Sequence, residues 1–287
     1  MRHPGSPRER IALGSFAPAD ALRTSACPHA LLPMSILSLE PHDAHVHYRA
    51  SDTLTDAACA RAVDMLSRVE RDRADRFAVE RDRRSFVVAH ALLRQVLAAY
   101  TGIAMEALEF TVDPSGKPRV ANPSHHGLEF NLSHAHGLAA CAVSRLPVGV
   151  DAESIARRVE PLDLAARYFS AAELAHLEAC PPPERATRFI EMWTLKEAYV
   201  KALGTGLSLP LWSFTIRLET PSSIAFEPPD SQASPCRFAL FAPSPQHRIA
   251  VAVLAGGSAP RISAWELSDI TLSGKKAAGL SPVAQGG

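Results

Sequence analysis

The chain has 287 residues, enough for one large domain or two small ones with an ample core. Thirty Lys and Arg balance thirty Asp and Glu, so no bulk charge draws in nucleic acid or a membrane surface. Cys27, Cys59, Cys141, Cys180 and Cys236 are scattered without CxxC or metal spacing, as in a reduced cytoplasmic protein, and no apolar run approaches the roughly 20 residues of a membrane span.

Residues 1–33 are rich in Pro, Ala, Arg and Ser, carry no apolar signal core and read as a disordered extension. Patterned sequence begins just after Met34, which is the expected start of translation. Residues 42–49 alternate as a strand, with His42, His45 and His47 read as ordinary strand-surface histidines rather than metal ligands. A helix is expected over 53–66. The arginine-rich run 68–84 follows, a solvated helical face with internal ion pairs. Next comes an apolar helix, stopped at Gly102, whose core stripe is Phe86, Ala89, His90, Leu93, Leu97 and Tyr100.

Residues 108–112 read as a strand, DPSG at 113–116 as a turn, and Lys117 as a loop lysine or a ligand contact. Residues 128–133 alternate and lead through a turn at His136 and Gly137 into 138–144, a hairpin. Ser133 and His134 are not a nucleophile and its base, because strand neighbours point apart and no orienting acid is evident. In the strand 147–153, Asp151 and Glu153 share a face, with Gly149 leaving room beside them. They are either an exposed strand end or a carboxylate pair that needs a hard cation such as Mg2+.

Ser170 and Glu173 form a capping box. The helix 188–204 places Trp193, Glu197 and Lys201 along one side. Glu197 and Lys201 are either a solvated pair or, with Asp151 and Glu153, part of a metal site. Segments 212–218, 224–227, 237–241, 248–254 and 262–267 suggest a second sheet, and 273–287 a disordered tail. Helices and strands arrive in runs, so the fold class is α+β.

GVDAE at 149–153 and WTLKEAYVK at 193–201, with GKPRV at 116–120 and FNLSHAHG at 130–137, resemble the motifs of the 4′-phosphopantetheinyl transferase superfamily. The resemblance covers about residues 36–270 and fits the long monomeric type. It implies two similar α+β halves, 34–147 and 148–272, related by a pseudo-twofold with the active site between them. It also implies transfer of 4′-phosphopantetheine from coenzyme A to a serine of an apo acyl or peptidyl carrier protein. Asp151, Glu153 and Glu197 would hold Mg2+ (or Mn2+), with Glu197 as base and Lys201 on the leaving phosphate. Arg84, Arg76, Lys117, Ser133, His134 and Lys196 would contact coenzyme A. The alternatives are a non-catalytic binder of coenzyme A or carrier proteins, or another Mg2+-dependent phosphotransferase or nuclease, the last disfavoured by the absent basic excess.

Overall fold

The computed structural model describes residues 37–267 apart from 123–126, 158, 221–222, 232 and 257–259. The expected disordered segments and the start at Met34 lie outside the described residues. No described helix is long and apolar enough to cross a membrane.

One plan is used twice. The first pass is strand β1 (Asp43–Ala50), helices α1 (Asp56–Asp64), α2 (Arg68–Ala74) and α3 (Glu80–Thr101), hairpin β2 (Phe110–Val112) and β3 (Pro118–Val120), then β4 (Glu129–Ala135) and β5 (Leu138–Ser144). The second is β6 (Val148–Ser154), α4 (Pro161–Tyr168), α5 (Ala171–Ala179), α6 (Pro182–Leu203), hairpin β7 (Thr215–Thr220) and β8 (Ser223–Glu227), then β9 (Cys236–Ser244) and β10 (His247–Leu254). In each pass the last strand lies between the other two, in the orders β1-β5-β4 and β6-β10-β9. Both long helices have 22 residues and stop at a left-handed glycine, Gly102 and Gly204, each with φ 71°.

Strand β11 (Arg261–Glu266) departs from the expectation of a second-sheet strand. It returns to the first sheet and runs parallel to β1, with Ile262 beside Ala44. The 215–227 hairpin is likewise a separate two-stranded unit.

Period-two patterning stacks the layers in the order α3, first sheet, second sheet, α6. On β5, Ala139, Cys141 and Val143 face α3, while Leu138, Ala140 and Ala142 face the second sheet. On β6, Val148, Val150 and Ala152 face the first sheet. Gly149, Asp151 and Glu153 are therefore left on the α6 side.

Gly149 sets the spacing there. A Cβ on it would lie 2.1 Å from the Ala198 carbonyl oxygen and 2.3 Å from the Ala202 nitrogen, so α6 rests backbone to backbone on β6. The glycine makes room for the helix, not for a ligand beside the carboxylates. In the first half Tyr100 stands between α3 and β1, its hydroxyl 2.7 Å from His45 Nδ1 and 2.9 Å from His47 Nε2. Trp265 of β11 stacks on His47. These histidines are thus packing residues under a helix, and His47 is buried rather than on an open strand surface.

Candidate active site

The two halves meet where β4 passes the free edge of β6. No backbone ladder joins these strands. Instead Asn131 Oδ1 accepts from Val150 N (2.9 Å) and Ser133 Oγ from Ala152 N (3.2 Å), so two alternate side chains of β4 satisfy the amides that a neighbouring strand would have taken. Ser133 Oγ also donates to Asp151 Oδ1 at 3.0 Å. The second half is thereby fastened to the first through the side chains of FNLS.

Asp151 is buried. Its Oδ1 also accepts from Lys201 Nζ at 2.6 Å, while its Oδ2 is buried without a hydrogen-bond partner. Lys201 Nζ donates to Ser133 Oγ as well, at 3.0 Å. Glu153 lies one strand repeat further on, and its Oε1 accepts from Arg157 at 3.1 Å. Burial, then the Asp151 charge, pushes the Glu153 carboxyl up to about 7; Glu197 adds to the rise, and Arg157 and Lys201 oppose it. Asp151, Glu153, Glu197 and Lys201 therefore share one electrostatic neighbourhood, as the motif spacing suggests. Among the described residues no three Asp, Glu, His or Cys side chains are arranged as a ready-made metal site. The donor set nevertheless suits an oxygen-seeking dication. A buried carboxylate oxygen lacks a partner, and a second carboxylate is held near neutral pKa by burial and like charge.

His134 follows Ser133 on β4 and feels the charge of Lys201. Burial, followed by the charges of His90, Lys201 and Arg73, draws its pKa down to about 4, against a smaller opposing effect of Asp82. The imidazole is neutral at pH 7, and the groups around it are mainly cationic. Arg73 was one charge among many in the run 68–84. What singles it out is α2, whose Ser67–Glu70 capping box sets the helix phase and whose Arg73 lies over the Phe86 ring. Neither this capping box nor the element facing it was read from the sequence.

Five of the expected ligand contacts are engaged within the protein or stand apart from the carboxylate cluster. Lys196 is fully buried, its Nζ bonded to both Glu173 oxygens (2.6 and 2.7 Å) and to the Phe214 carbonyl (2.7 Å), so it cannot touch a phosphate from the side. The helical rotation that turns it from Glu197 points it into the core of the second half. Lys117 is also buried. The β2–β3 turn tucks under the end of α6, and Nζ donates to Glu129 and to the Val148 carbonyl, each at 3.2 Å. Burial, then Arg119, lowers its pKa to about 8. Ser133 Oγ bonds Asp151, the Ala152 amide and Lys201. Arg84 donates to the Ser51 carbonyl and to Asp56, beside a cavity of about 440 Å³ between α1 and the first turn of α3. Arg76 is exposed in the turn after α2. Trp193 packs against Tyr168, Phe169 and Phe189, away from the carboxylates.

Comparison with known proteins agrees with this geometry. Residues 147–252 match the profile of the 4′-phosphopantetheinyl transferase superfamily, and residues 53–145 that of the 4′-phosphopantetheinyl transferase N-terminal region. The two matches meet at the β5–β6 junction. The chain is 31% identical over 194 residues to 4′-phosphopantetheinyl transferase Sfp of Bacillus subtilis, covering 67% of this chain and 83% of that one. It is 35% identical over 185 residues to 4′-phosphopantetheinyl transferase psf-1 of Bacillus pumilus, covering 63% and 76%. A holo-(acyl-carrier-protein) synthase from Bacillus anthracis superposes on 38% of this chain and 95% of its own, at 20% identity and TM-score 0.33. With both halves matched and the motif residues gathered at their junction, the chain belongs to the 4′-phosphopantetheinyl transferase superfamily.

Proposed function

We propose that the protein transfers 4′-phosphopantetheine from coenzyme A to a serine hydroxyl of an apo acyl or peptidyl carrier protein, releasing adenosine 3′,5′-bisphosphate. The serine oxygen forms a bond to the β-phosphorus of the pyrophosphate, and the bond from that phosphorus to the departing phosphate oxygen breaks. The observation that carries the reading is the cluster of Asp151, Glu153, Glu197 and Lys201 beside the cationic surroundings of His134, at the seam between the halves. Such seams are common ligand sites.

Asp151, Glu153 and Glu197 would hold a divalent cation, Mg2+ or Mn2+. When bound, it supplies neutralisation of the charge carried by the pyrophosphate and its leaving group. Glu197 takes the serine proton, since a hydroxyl of high pKa needs a positioned base. Lys201 balances negative charge on the leaving phosphate. Arg73 and His134 orient the anionic end of coenzyme A through hydrogen bonds. The protein acts as a monomer in the cytoplasm, which accords with free cysteines at Cys59, Cys141, Cys180 and Cys236 and with the two-half chain.

Intact mass of an apo carrier protein after incubation with enzyme, Mg2+ and coenzyme A tests the reading. A gain of one phosphopantetheine arm is expected. Glu197→Gln should lower its rate about 10²–10⁴-fold with the fold intact. No mass gain on any carrier, with coenzyme A still bound by calorimetry, would point to a binding protein instead.

A further inference from the structure

Each β6 carboxylate already carries a side-chain cation, and the two cations are held differently. Lys201 sits on a long helix and is fastened twice, to Asp151 at 2.6 Å and to Ser133 at 3.0 Å. Arg157 sits on the turn that leaves β6. Its backbone N–H donates to the Ser154 carbonyl at 3.2 Å, and the Ala156 N–H donates to Ser154 Oγ at 3.3 Å, so the chain folds back. The guanidinium is thereby returned to Glu153 Oε1 at 3.1 Å, one helix-like repeat away. The Arg157 side chain is 53% exposed and Glu153 only 18%. The arginine can swing into water at small cost, and the carboxylate cannot follow it.

We propose that Arg157 is a resident counter-ion of Glu153 that an incoming divalent metal must displace, so that it weakens the metal affinity of the site. The inference rests on the metal reading of Asp151 and Glu153. Its physical content is competition: one carboxylate oxygen serves either the guanidinium or the metal. The half-exposed guanidinium is screened by solvent, so the pair is weak although Glu153 itself is largely buried, and removing it should change metal affinity only severalfold.

Mn2+ is titrated calorimetrically into the wild type, Arg157→Gln, Asp151→Asn and Arg61→Gln, each with and without saturating coenzyme A. Arg61 is exposed on α1 in the other half, and its variant removes the same charge remotely. Binding about two- to fivefold tighter in Arg157→Gln, with Arg61→Gln like the wild type, supports the proposal. Unchanged or weaker binding in Arg157→Gln, with binding lost in Asp151→Asn, overturns it while leaving the metal reading in place. Equal tightening in Arg61→Gln also overturns it, since net charge alone would then account for the effect. No Mn2+ binding by the wild type under either condition, or binding unaffected in Asp151→Asn, removes the metal reading and this inference together.

Discussion

Gly149 and Ala198 touch through their backbones: a methyl group on the glycine would lie 2.1 Å from the Ala198 carbonyl oxygen. The contact falls two residues before Asp151 and one residue after Glu197. It brings the carboxylates of β6 and those of α6 within range of one another, and it determines which helix turn faces the strand. Gly149→Ala should push α6 outward. We expect a stability loss of about 1–3 kcal/mol in urea unfolding and a fall in transfer rate of about 10²-fold, because the reacting groups are displaced by a fraction of an ångström or more. A variant with unaltered transfer would show that the close approach is incidental.

Ser133 offers a choice between two roles. As a ligand to phosphate, its loss should raise KM for coenzyme A and leave the fold alone. In the structure it satisfies the buried Ala152 amide and holds Asp151. Ser133→Ala is therefore expected to cost about 1–3 kcal/mol of stability, the usual penalty for a stranded buried donor, with KM for coenzyme A changed less than about threefold. Steady-state kinetics and urea denaturation on the same preparation separate the two.

Lys196 and Glu173 form a pair buried without exposure on either side chain. Removing one partner leaves the other charge in the core. Lys196→Met should destabilise by about 3–5 kcal/mol, and Lys196→Met with Glu173→Leu should recover part of that loss. Recovery will be incomplete, because Glu173 also accepts the Ile216 and Ser170 amides. If the single variant were stable but failed to bind coenzyme A, Lys196 would return to the ligand site.

Stability should fall in two steps on acidification. Burial, with the neighbouring His45, keeps the folded-state pKa of His47 at about 3, below its usual 6.5. The unfolded chain therefore takes the proton first, and stability is lost from pH 6.5 down towards 3, at about 1.4 kcal/mol per pH unit. His134, held at about 4 by burial and nearby positive charge, works in the same direction over a narrower window. Burial alone would raise Glu70, but the hydrogen bond and charge of His90, with Arg94, hold it at about 2. Its contribution is complete above pH 4.5 and fades below that. Between pH 7 and pH 5 the two histidines together predict a loss of about 4 kcal/mol, and His47→Asn should roughly halve it. Urea midpoints across that range provide the check; an unaltered slope in the variant would remove His47 from the account.

Much of this protein was legible without coordinates. The helix faces, the hairpins, the capping box at Ser170 and the shared face of Asp151 and Glu153 all follow from local rules: 3.6-residue and two-residue periodicity, and short side chains that bond nearby amides. The motif pair 149–153 and 193–201 named the family before any contact was known. What local rules could not supply was which element each face would meet. Lys196 and Lys117 look like available cations in sequence, yet one is sealed against Glu173 and the other beneath the end of α6. Ser133 also splices β4 to β6, a contact its sequence position does not announce. Arg73 is one arginine in seven until the fold brings its charge within reach of His134.

The duplicated plan was expected from the family resemblance alone and not from any internal sequence repeat, because packing equivalence needs only matching layers, not matching residues. Gly149 and Tyr100 solve the same helix-on-sheet contact with opposite chemistry. The sequence by itself determined the elements, their apolar faces and the acidic motif. The tertiary structure decided which charges are spent inside and which remain for a ligand, since that depends on partners distant in sequence: Lys201 lies 68 residues from Ser133, and Arg261 lies 218 from Asp43.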